Sequence, residues 1–277
     1  MKKFMKAMSL GLALVMLLAL CACGGNNSEP STAPETSTSE STAPESTAPE
    51  TGFTTIQEGK LVMSTNAAFP PYEMTDDSGK IVGIDADIAA AIAEKLGLEL
   101  VIDDVDFDAA LQAVQQGKSD ICMAGLSVTE ERQAVMDFSD TYATGVQVVI
   151  VKEGSDVTLD NLGEKLIGTQ RGTTGNIYCA DDYGDDHVIA YDNGITAVQA
   201  LMNDQVDCVV IDNNPAQEFV AANPGLTILD TEYVSEDYAI GFAKGNTALA
   251  EAVNGALSEL IADGTVQSIV DKYITAE

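Results

Sequence analysis

Short apolar strands alternate with amphipathic helices through most of this chain, and this alternation restricts its fold more than any other feature. Residues 60–64 predict a first strand, residues 85–96 a helix, and residues 119–123 a further buried strand. The pattern resumes after residues 146–151, a β-branched run that is typical of a long strand. Strands that alternate with helices predict an α/β fold with mostly parallel sheets.

The two halves of this pattern are similar. Residues 111–125 and 198–212 share a helix, a polar turn, an aspartate and a buried strand, with three identities in fifteen aligned positions. Gly125 and Asp212 then hold equivalent places, each just past the carboxyl end of a strand. Ligands of open α/β sheets gather at such ends, so we expect two similar lobes with ligand contacts at these positions.

The segment GLSVTEER, residues 125–132, combines several anion-binding features. Ser127 or Thr129 suits the N-cap of a helix whose first turn carries acidic residues. Arg132 is electrostatically misplaced in that turn unless an anion lies opposite it. A hydroxyl, free N–H groups and a guanidinium together predict a carboxylate receptor. The alternative is that Arg132 is a solvated residue paired with Glu131.

Composition restricts the partners. The chain has 13 basic and 44 acidic residues, for a formal charge of −31, while 45% of its residues are hydrophobic. The hydrophobic content supports a core, and the charge argues against nucleic acid as a partner of the folded part. Outside the N-terminal segment the cysteines are Cys122, Cys179 and Cys208, without a Cys-X-X-Cys motif, and His187 is the only histidine. We therefore expect neither a metal site nor a cofactor.

The N-terminal residues predict export. In residues 1–22, lysines precede an apolar run that is too short to span a bilayer. The run ends in Leu-Cys-Ala-Cys and resembles a bacterial lipoprotein signal cleaved before Cys23. A lipid such as palmitate on Cys23 would hold the chain on the outer face of the cytoplasmic membrane. Residues 23–52 repeat Ser-Thr-Ala-Pro-Glu and predict a disordered linker. An ordinary secretory signal and a glycosylated stalk are the alternatives.

Four segments follow one another in an order typical of one family. They are TNAAFPPYE at residues 65–73, GIDADIAAAIAEKLG at 83–97, DFDAALQAVQQGKSDICMAGLSVTEER at 106–132 and RGTTGN at 171–176. They resemble the polar amino-acid-binding proteins of ABC importers, which include lysine/arginine/ornithine-, histidine- and glutamine-binding members.

The resemblance implies an α/β fold of a specific kind: a two-lobed, type II periplasmic-binding-protein-like clamp. Two strands would cross between the lobes, near residues 143–147 and 239–242. Lobe 1 would comprise residues 53–145 and 241–277, and lobe 2 residues 146–240.

The resemblance also implies a function. The chain would be the extracytoplasmic substrate-binding component of an ABC importer, a monomer that binds a free polar amino acid and delivers it to a membrane permease. It would not be an enzyme. The alternative on the same fold is a cyclohexadienyl dehydratase-like enzyme, which needs a general acid beside the bound carboxylate. Glu73 is the only such acid near the first aromatic loop. A sensor ectodomain is a third hypothesis.

By resemblance, contacts to the ligand backbone fall on five residues. The α-carboxylate would bind Arg132, Ser127 and the backbone N–H of Thr174. The α-ammonium would bind Asp212, the Gly125 carbonyl and Ser127. Arg132 and Asp212 lie on different lobes, so only closed lobes satisfy both ends of a zwitterion, and binding stabilises closure. Without the resemblance, Asp212 equally suits a cap for a helix at residues 215–222.

The resemblance also assigns contacts to the ligand side chain. The aromatic residues Phe69, Tyr72 and Phe107 would enclose it. Asn66 replaces the family's usual aspartate, an acid that often contacts a cationic side chain, and this replacement argues against a basic ligand. Arg171 would contact an acidic or amide side chain.

Overall fold

The computed structural model describes residues 52–230 and 232–274. The predicted signal peptide, the lipidated Cys23 and the predicted linker up to residue 51 lie outside the described residues. The strands in the described part are β1 (Lys60–Thr65), β2 (Ala68–Phe69), β3 (Glu73–Thr75), β4 (Ile81–Val82), β5 (Glu99–Asp104), β6 (Ile121–Cys122), β7 (Met136–Lys152), β8 (Ile167–Gln170), β9 (Val188–Tyr191), β10 (Cys208–Asp212), β11 (Leu226–Ile228) and β12 (Val234–Ala243). The helices there are α1 (Ile84–Leu96), α2 (Phe107–Gln115), α3 (Glu130–Val135), α4 (Thr174–Tyr183), α5 (Gly194–Met202), α6 (Asn213–Ala222), α7 (Thr247–Ala262) and α8 (Thr265–Tyr273).

Helix α1 shows how local sequence sets these bounds. It ends at Leu96 because Gly97 adopts a left-handed conformation, with φ 71° and ψ 28°, and its N–H donates to carbonyls of the last turn. Ile84, Ile88 and Ile92 lie on one face and are fully buried. Such burial contributes about 1.5–3 kcal/mol for each side chain. This face packs in the core that α7 also joins, which fixes both helices on the sheet.

The main sheet has the strand order β5-β1-β6-β12-β7-β10-β8-β9, and β11 also pairs with β7. Strand β1 is parallel to β5 and β6, and β8 is parallel to β9 and β10. The central strands β12 and β7 are antiparallel to each other and to their outer neighbours. The sheet is therefore mixed, and the prediction of mostly parallel pairing holds only for its two ends. A small antiparallel sheet, β2-β3-β4, was not predicted.

The two central strands connect the two ends of the sheet. Strand β7 has 17 residues, and β12 pairs with it from Val234 opposite Gln147 to Ala243 opposite Met136. The C-terminal part of β7 pairs with β10 and β11 instead. The predicted strand 146–151 is only this second part. Gly145, just before this predicted strand, lies inside β7, where a Cβ would overlap the Tyr238 hydroxyl.

The three cysteines of the described residues are buried and free. Cys122 lies in the core beside α2, and Cys179 and Cys208 share the core cluster between β8, β10 and α4. They act as small apolar side chains, as the sequence predicts for Cys122 and Cys208. Within residues 52–230 and 232–274, every helix falls short of the length and apolar character that a membrane crossing requires.

Candidate ligand-binding site

A narrow cavity lies where β1, β6, β8 and β10 reach their carboxyl ends. Its walls meet closely, with room at the centre for about one water molecule, so an amino acid enters only if the walls move apart. Eight of the ten residues predicted for the site line the cavity: Asn66, Phe69, Phe107, Gly125, Ser127, Arg132, Thr174 and Asp212. Glu73 and Gln170 line it as well.

Arg132 is buried in the cavity wall. Helix α3 begins after Thr129, whose hydroxyl accepts a hydrogen bond from the Arg132 backbone N–H at 3.2 Å, so Thr129 and not Ser127 is the N-cap. The side chain is 7% exposed and donates to the carbonyls of Ser127 at 2.8 Å and Gly172 at 3.2 Å. Burial lowers the pKa of the guanidinium, which still remains cationic at neutral pH. The alternative, a solvated Arg132 paired with Glu131, is wrong.

Donors and an aromatic ring surround this guanidinium. Its central carbon lies 5.4 Å from the centre of the Phe107 ring, close enough for a cation–π contact. The hydroxyls of Ser127 and Thr174 are 3.4 Å apart. Thr174 is the first residue of α4, and first-turn N–H groups have no acceptor within their own helix. This wall therefore offers a cation, the Ser127 hydroxyl and a helix N-terminus to an anion.

Asp212 provides the acid on the opposite wall. It holds the N-cap position of α6, but its side chain makes no capping hydrogen bond. Its carboxylate accepts hydrogen bonds from Gln147 Nε2 at 2.8 Å and from the Tyr238 hydroxyl. Burial raises the pKa of Asp212 to about 6, although the Tyr238 hydrogen bond opposes the shift. The alternative role of Asp212 as a helix cap is not what the structure shows.

Glu236 on β12 is a second acid beside Asp212. It is 8% exposed and accepts hydrogen bonds from Thr174 Oγ1 at 2.6 Å, Tyr178 Oη at 3.1 Å and Gln147 Nε2 at 3.2 Å. Gln147 thus bridges Glu236 and Asp212 from β7. These contacts tie the first turn of α4 to the two central strands.

Glu73 is the least satisfied acid in the cavity wall. It is 0% exposed, and no donor among the described residues reaches either carboxylate oxygen; its one hydrogen-bonding contact there is with the Asp85 carboxyl group, which acts as the acceptor. Burial, followed by the neighbouring charge of Asp85, raises the pKa of Glu73 well above its ordinary value. Asp85 has two donors, the Tyr142 hydroxyl at 2.7 Å and the Gly125 N–H at 2.9 Å. Asp85 therefore fixes Gly125, whereas Glu73 is available to a ligand.

Asn66 and Gln170 meet across the cavity. Gln170 Nε2 donates to Asn66 Oδ1 at 3.0 Å, and Asn66 Nδ2 donates to the Val105 carbonyl at 2.9 Å. Gln170 Oε1 is buried and has no hydrogen-bond partner among the described residues. This bond joins the segment that follows β1 to the end of β8, and it holds the two walls together.

Two of the predicted site residues do not line the cavity. Tyr72 is buried behind it, where its hydroxyl accepts from Asn214 Nδ2 at 2.9 Å and its ring meets Tyr238 edge-on at 5.2 Å. The Arg171 side chain is 56% exposed and donates to the Ala190 carbonyl at 3.0 Å, beside Asp192 at 3.7 Å. Successive residues of an extended chain point to opposite sides, so Arg171 faces outward because Gln170 faces the cavity.

Three further cavity-side residues were not assigned to the ligand from the sequence, and only weak local signals mark them. Gln147 is the one polar residue in the apolar run 146–151, which marks it as unusual for a core strand. Glu236 and Tyr238 are two residues apart on β12 and share a face, but nothing in the sequence aligns that face with Asp212. Glu73, two residues after a double proline, was named only as the candidate acid of the enzyme alternative, and the fold turns it into the cavity.

Two central strands join two lobes, and the cleft has a guanidinium on one wall and a carboxylate on the other. This arrangement defines a two-lobed solute-binding protein. Residues 61–276 match the family described as bacterial extracellular solute-binding proteins, family 3, and the chain belongs to that family. This match confirms the family predicted from the sequence motifs.

Relatives and solved structures agree with this assignment. ABC transporter arginine-binding protein 1 of Escherichia coli (strain K12) is 30% identical over 219 residues, covering 77% of this chain and 90% of the relative. ABC transporter glutamine-binding protein GlnH of Bacillus subtilis (strain 168) is 29% identical over 280 residues, covering 99% and 98%. The structure of an ancestral arginine-binding protein bound to glutamine has a TM-score of 0.75 at 39% identity, covering 79% of this chain and 100% of that one. The predicted two-lobed α/β clamp is confirmed.

Proposed function

We propose that this chain is the extracytoplasmic substrate-binding component of an ABC amino-acid importer, and that its ligand is an amino acid with a cationic side chain. The family and the relatives named for ABC transporters support the first part. The second part depends on one observation: Glu73 is a buried acid that lines the cavity, and no donor among the described residues reaches its carboxylate oxygens.

The ligand backbone binds between Arg132 and Asp212. Arg132 suits the α-carboxylate because both of its side-chain hydrogen bonds go to neutral carbonyls, so its charge is free to pair with an anion. Ser127 and the first-turn N–H of Thr174 add donors on the same wall. Asp212 suits the α-ammonium because its present partners, Gln147 and Tyr238, are both neutral. The Gly125 carbonyl contributes a second acceptor.

The ligand side chain reaches Glu73. Like the oxygens of Glu73, Gln170 Oε1 is buried and receives no donor from the described residues, so the cavity presents acceptors rather than donors at this end. A guanidinium, with five N–H donors and a positive charge, matches this set best. Phe69 and Phe107 offer ring faces to its flat surface. The expectation against a basic ligand rested on Asn66, and Glu73 supplies the acid that Asn66 lacks.

Lobe boundaries and anchoring complete the proposal. We assign residues 53–145 and 241–277 to lobe 1 and residues 146–240 to lobe 2, a division supported by the long pairing of β7 with β12. We further propose that a lipid on Cys23 anchors the exported chain, on the strength of the sequence around it. The mass of the mature N-terminal peptide tests this point, and an unmodified Cys23 would contradict it.

The dehydratase alternative also uses a carboxylate receptor with a nearby acid, and Glu73 meets that requirement. The relatives are named as transport binding proteins, which supports binding without turnover. Consumption of arogenate or prephenate by the pure protein would show that it is an enzyme and would contradict the proposed binding function.

The test is a ligand screen on protein that has been unfolded, dialysed and refolded to remove bound amino acids. We expect arginine, and lysine to a smaller extent, to raise the melting temperature, because ligand at 100 times Kd adds about 2.7 kcal/mol. For a chain of this size that is roughly 5–10 °C. Stabilisation by glutamate alone contradicts the ligand class, and no stabilisation by any of the twenty amino acids contradicts the function.

A matched pair of variants locates the effect. Glu73→Gln keeps the size of the side chain and removes the acid, so it should lose most of the stabilisation by arginine. Glu94→Gln makes the same change at an exposed position of α1 and should respond to arginine as the unaltered protein does.

A further inference from the structure

Glu73 and Asp85 form a pair of carboxyl groups with unequal hydrogen bonding. Both are 0% exposed, and each lies within the electrostatic reach of the other. Two neighbouring buried carboxyls cannot both be charged at low cost without a cation beside them. Asp85 receives a hydroxyl and a backbone N–H, which stabilise its anion, whereas Glu73 receives neither. The geometry therefore puts the shared negative charge on Asp85 and a proton on Glu73.

The other groups around Glu73 leave this assignment unchanged. The titratable groups that face it from the packed elements are Asp85 of α1, Asp104 of β5, Cys122 of β6, Tyr142 of β7 and the adjacent Tyr72. All of these are acids or neutral, so none stabilises a Glu73 anion. Arg132 is the cation that lines the same cavity, and its hydrogen bonds go to Ser127 and Gly172. Burial of Glu73 raises its pKa, which agrees with this assignment.

We propose that Glu73 selects ligands through its proton: it keeps the proton beside a neutral amide side chain and releases it when a cationic side chain binds. The same cavity then accepts both classes of amino acid. A protonated Glu73 donates its proton to Asp85 and keeps a neutral oxygen that accepts from the NH₂ group of a glutamine side chain. An ionised carboxylate matches a guanidinium. This inference rests on the proposed function of the site.

The two ligand classes should therefore differ in their dependence on pH. Binding of a cationic side chain displaces a proton, so its Kd falls as pH rises toward the pKa of Glu73, by up to about tenfold per pH unit. Binding of an amide displaces none, so its Kd is level over the same range. Burial raises the pKa of Asp212 to about 6, so below that pH its protonation weakens both ligands alike. The ratio of the Kd of the cationic ligand to the Kd of the amide ligand therefore reports the protonation of Glu73, because the effect of Asp212 cancels.

Calorimetric titration of arginine and of glutamine into the refolded protein tests this inference. At pH 7, each titration is repeated in phosphate and in Tris, whose ionisation enthalpies differ, so that the number of protons released can be calculated. We expect arginine to release up to about one proton and glutamine close to none. Asp212 adds only about a tenth of a proton to each at this pH, given its pKa near 6.

The outcomes separate the two proposals. Arginine and glutamine that release the same number of protons overturn the inference and leave the proposed function standing. A protein that binds no arginine at any pH overturns both. Glu73→Gln should abolish the difference in proton release, raise the arginine Kd at least tenfold and change the glutamine Kd by less than about threefold. Glu94→Gln should preserve the difference. The two-buffer measurement on the unaltered protein decides the question even if Glu73→Gln does not fold.

Discussion

Arg132 shows how a single residue is prepared for a ligand before the ligand arrives. Its guanidinium is buried against Phe107, and both of its side-chain hydrogen bonds go to neutral carbonyl oxygens, while Glu236 and Asp212 act on it only through their charges. Desolvation of a cation without a hydrogen-bonded counter-ion is costly, and an incoming carboxylate offsets that cost. The binding free energy of the ligand thus includes relief of a penalty that the folded protein already carries.

Replacement of this arginine should therefore remove most of the affinity. We expect Arg132→Ala to raise the ligand Kd by at least about 100-fold, because loss of one partner of a buried charge pair costs about 3–5 kcal/mol. Arg171→Ala is the matched control, since that arginine lies on the surface beside Asp192. The ligand Kd of this variant should equal that of the unaltered protein. Calorimetry measures both. A large loss of ligand affinity in Arg171→Ala would show that Arg171 contacts the ligand.

At the scale of elements, β7 and β12 carry both the connection between the lobes and part of the site. Gln147 of β7 and Tyr238 of β12 hold Asp212, and Glu236 of β12 holds Thr174. A change in the packing of these strands therefore reaches the ligand directly. The sequence predicts a strand at residues 146–151 and, by resemblance, crossings near 143–147 and 239–242, but not the extension of β7 back to Met136.

Gly145 offers a test of this coupling. A Cβ at that position would overlap the Tyr238 hydroxyl and lie 2.6 Å from the Asp212 carboxylate. We expect Gly145→Ala to destabilise the protein by about 1–3 kcal/mol and to weaken ligand binding as well. Gly255→Ala in α7 is the control: nothing lies near its Cβ, and a helical alanine should add about 0.5–1 kcal/mol.

Denaturant unfolding and ligand titration of both glycine variants give the two readouts. Unchanged affinity in a destabilised Gly145→Ala would show that β7 supports the lobes without positioning Asp212.

At the scale of the whole molecule, most of the fold follows from the sequence and part of the site does not. Periodicity and glycine stops give the helices to within a few residues, because their apolar faces are local signals. The mixed pairing of β7 and β12 is not local, since partners such as Met136 and Ala243 are far apart in the chain. The same limit applies to Glu73 and Glu236, whose roles depend on what the fold brings near them.

The buried acids also affect the stability of the whole protein. Burial raises the pKa of Asp212 from 3.8 to about 6, so the folded state binds more protons than the unfolded state between about pH 4 and pH 6. The free energy of unfolding therefore falls as pH rises through this window, by roughly 3 kcal/mol for this group once it is ionised. Ligand-free protein should melt several degrees lower at pH 7.5 than at pH 5.

Asp212→Asn separates the effect of Asp212 on stability from the effect of the other acidic groups in the protein. The variant should melt higher than the unaltered protein at pH 7.5, melt like it near pH 4, and lose ligand binding. Asp181→Asn, at an exposed position of α4, should leave the pH dependence intact. If the melting temperatures of all three proteins depend on pH in the same way, ionisation of Asp212 does not destabilise the folded state.

The contact between α1 and α7 has a consequence for biogenesis. Lys95 and Glu259, which join these helices at 3.0 Å, are separated by 164 residues. The lobe that begins first along the polypeptide is thus completed last, after the entire middle lobe has been synthesised. A chain that emerges amino terminus first can pack α1 on β1 and β5 but cannot cover the rest of its apolar face until α7 is synthesised. This half of the protein therefore gains its full stability only when synthesis is almost complete.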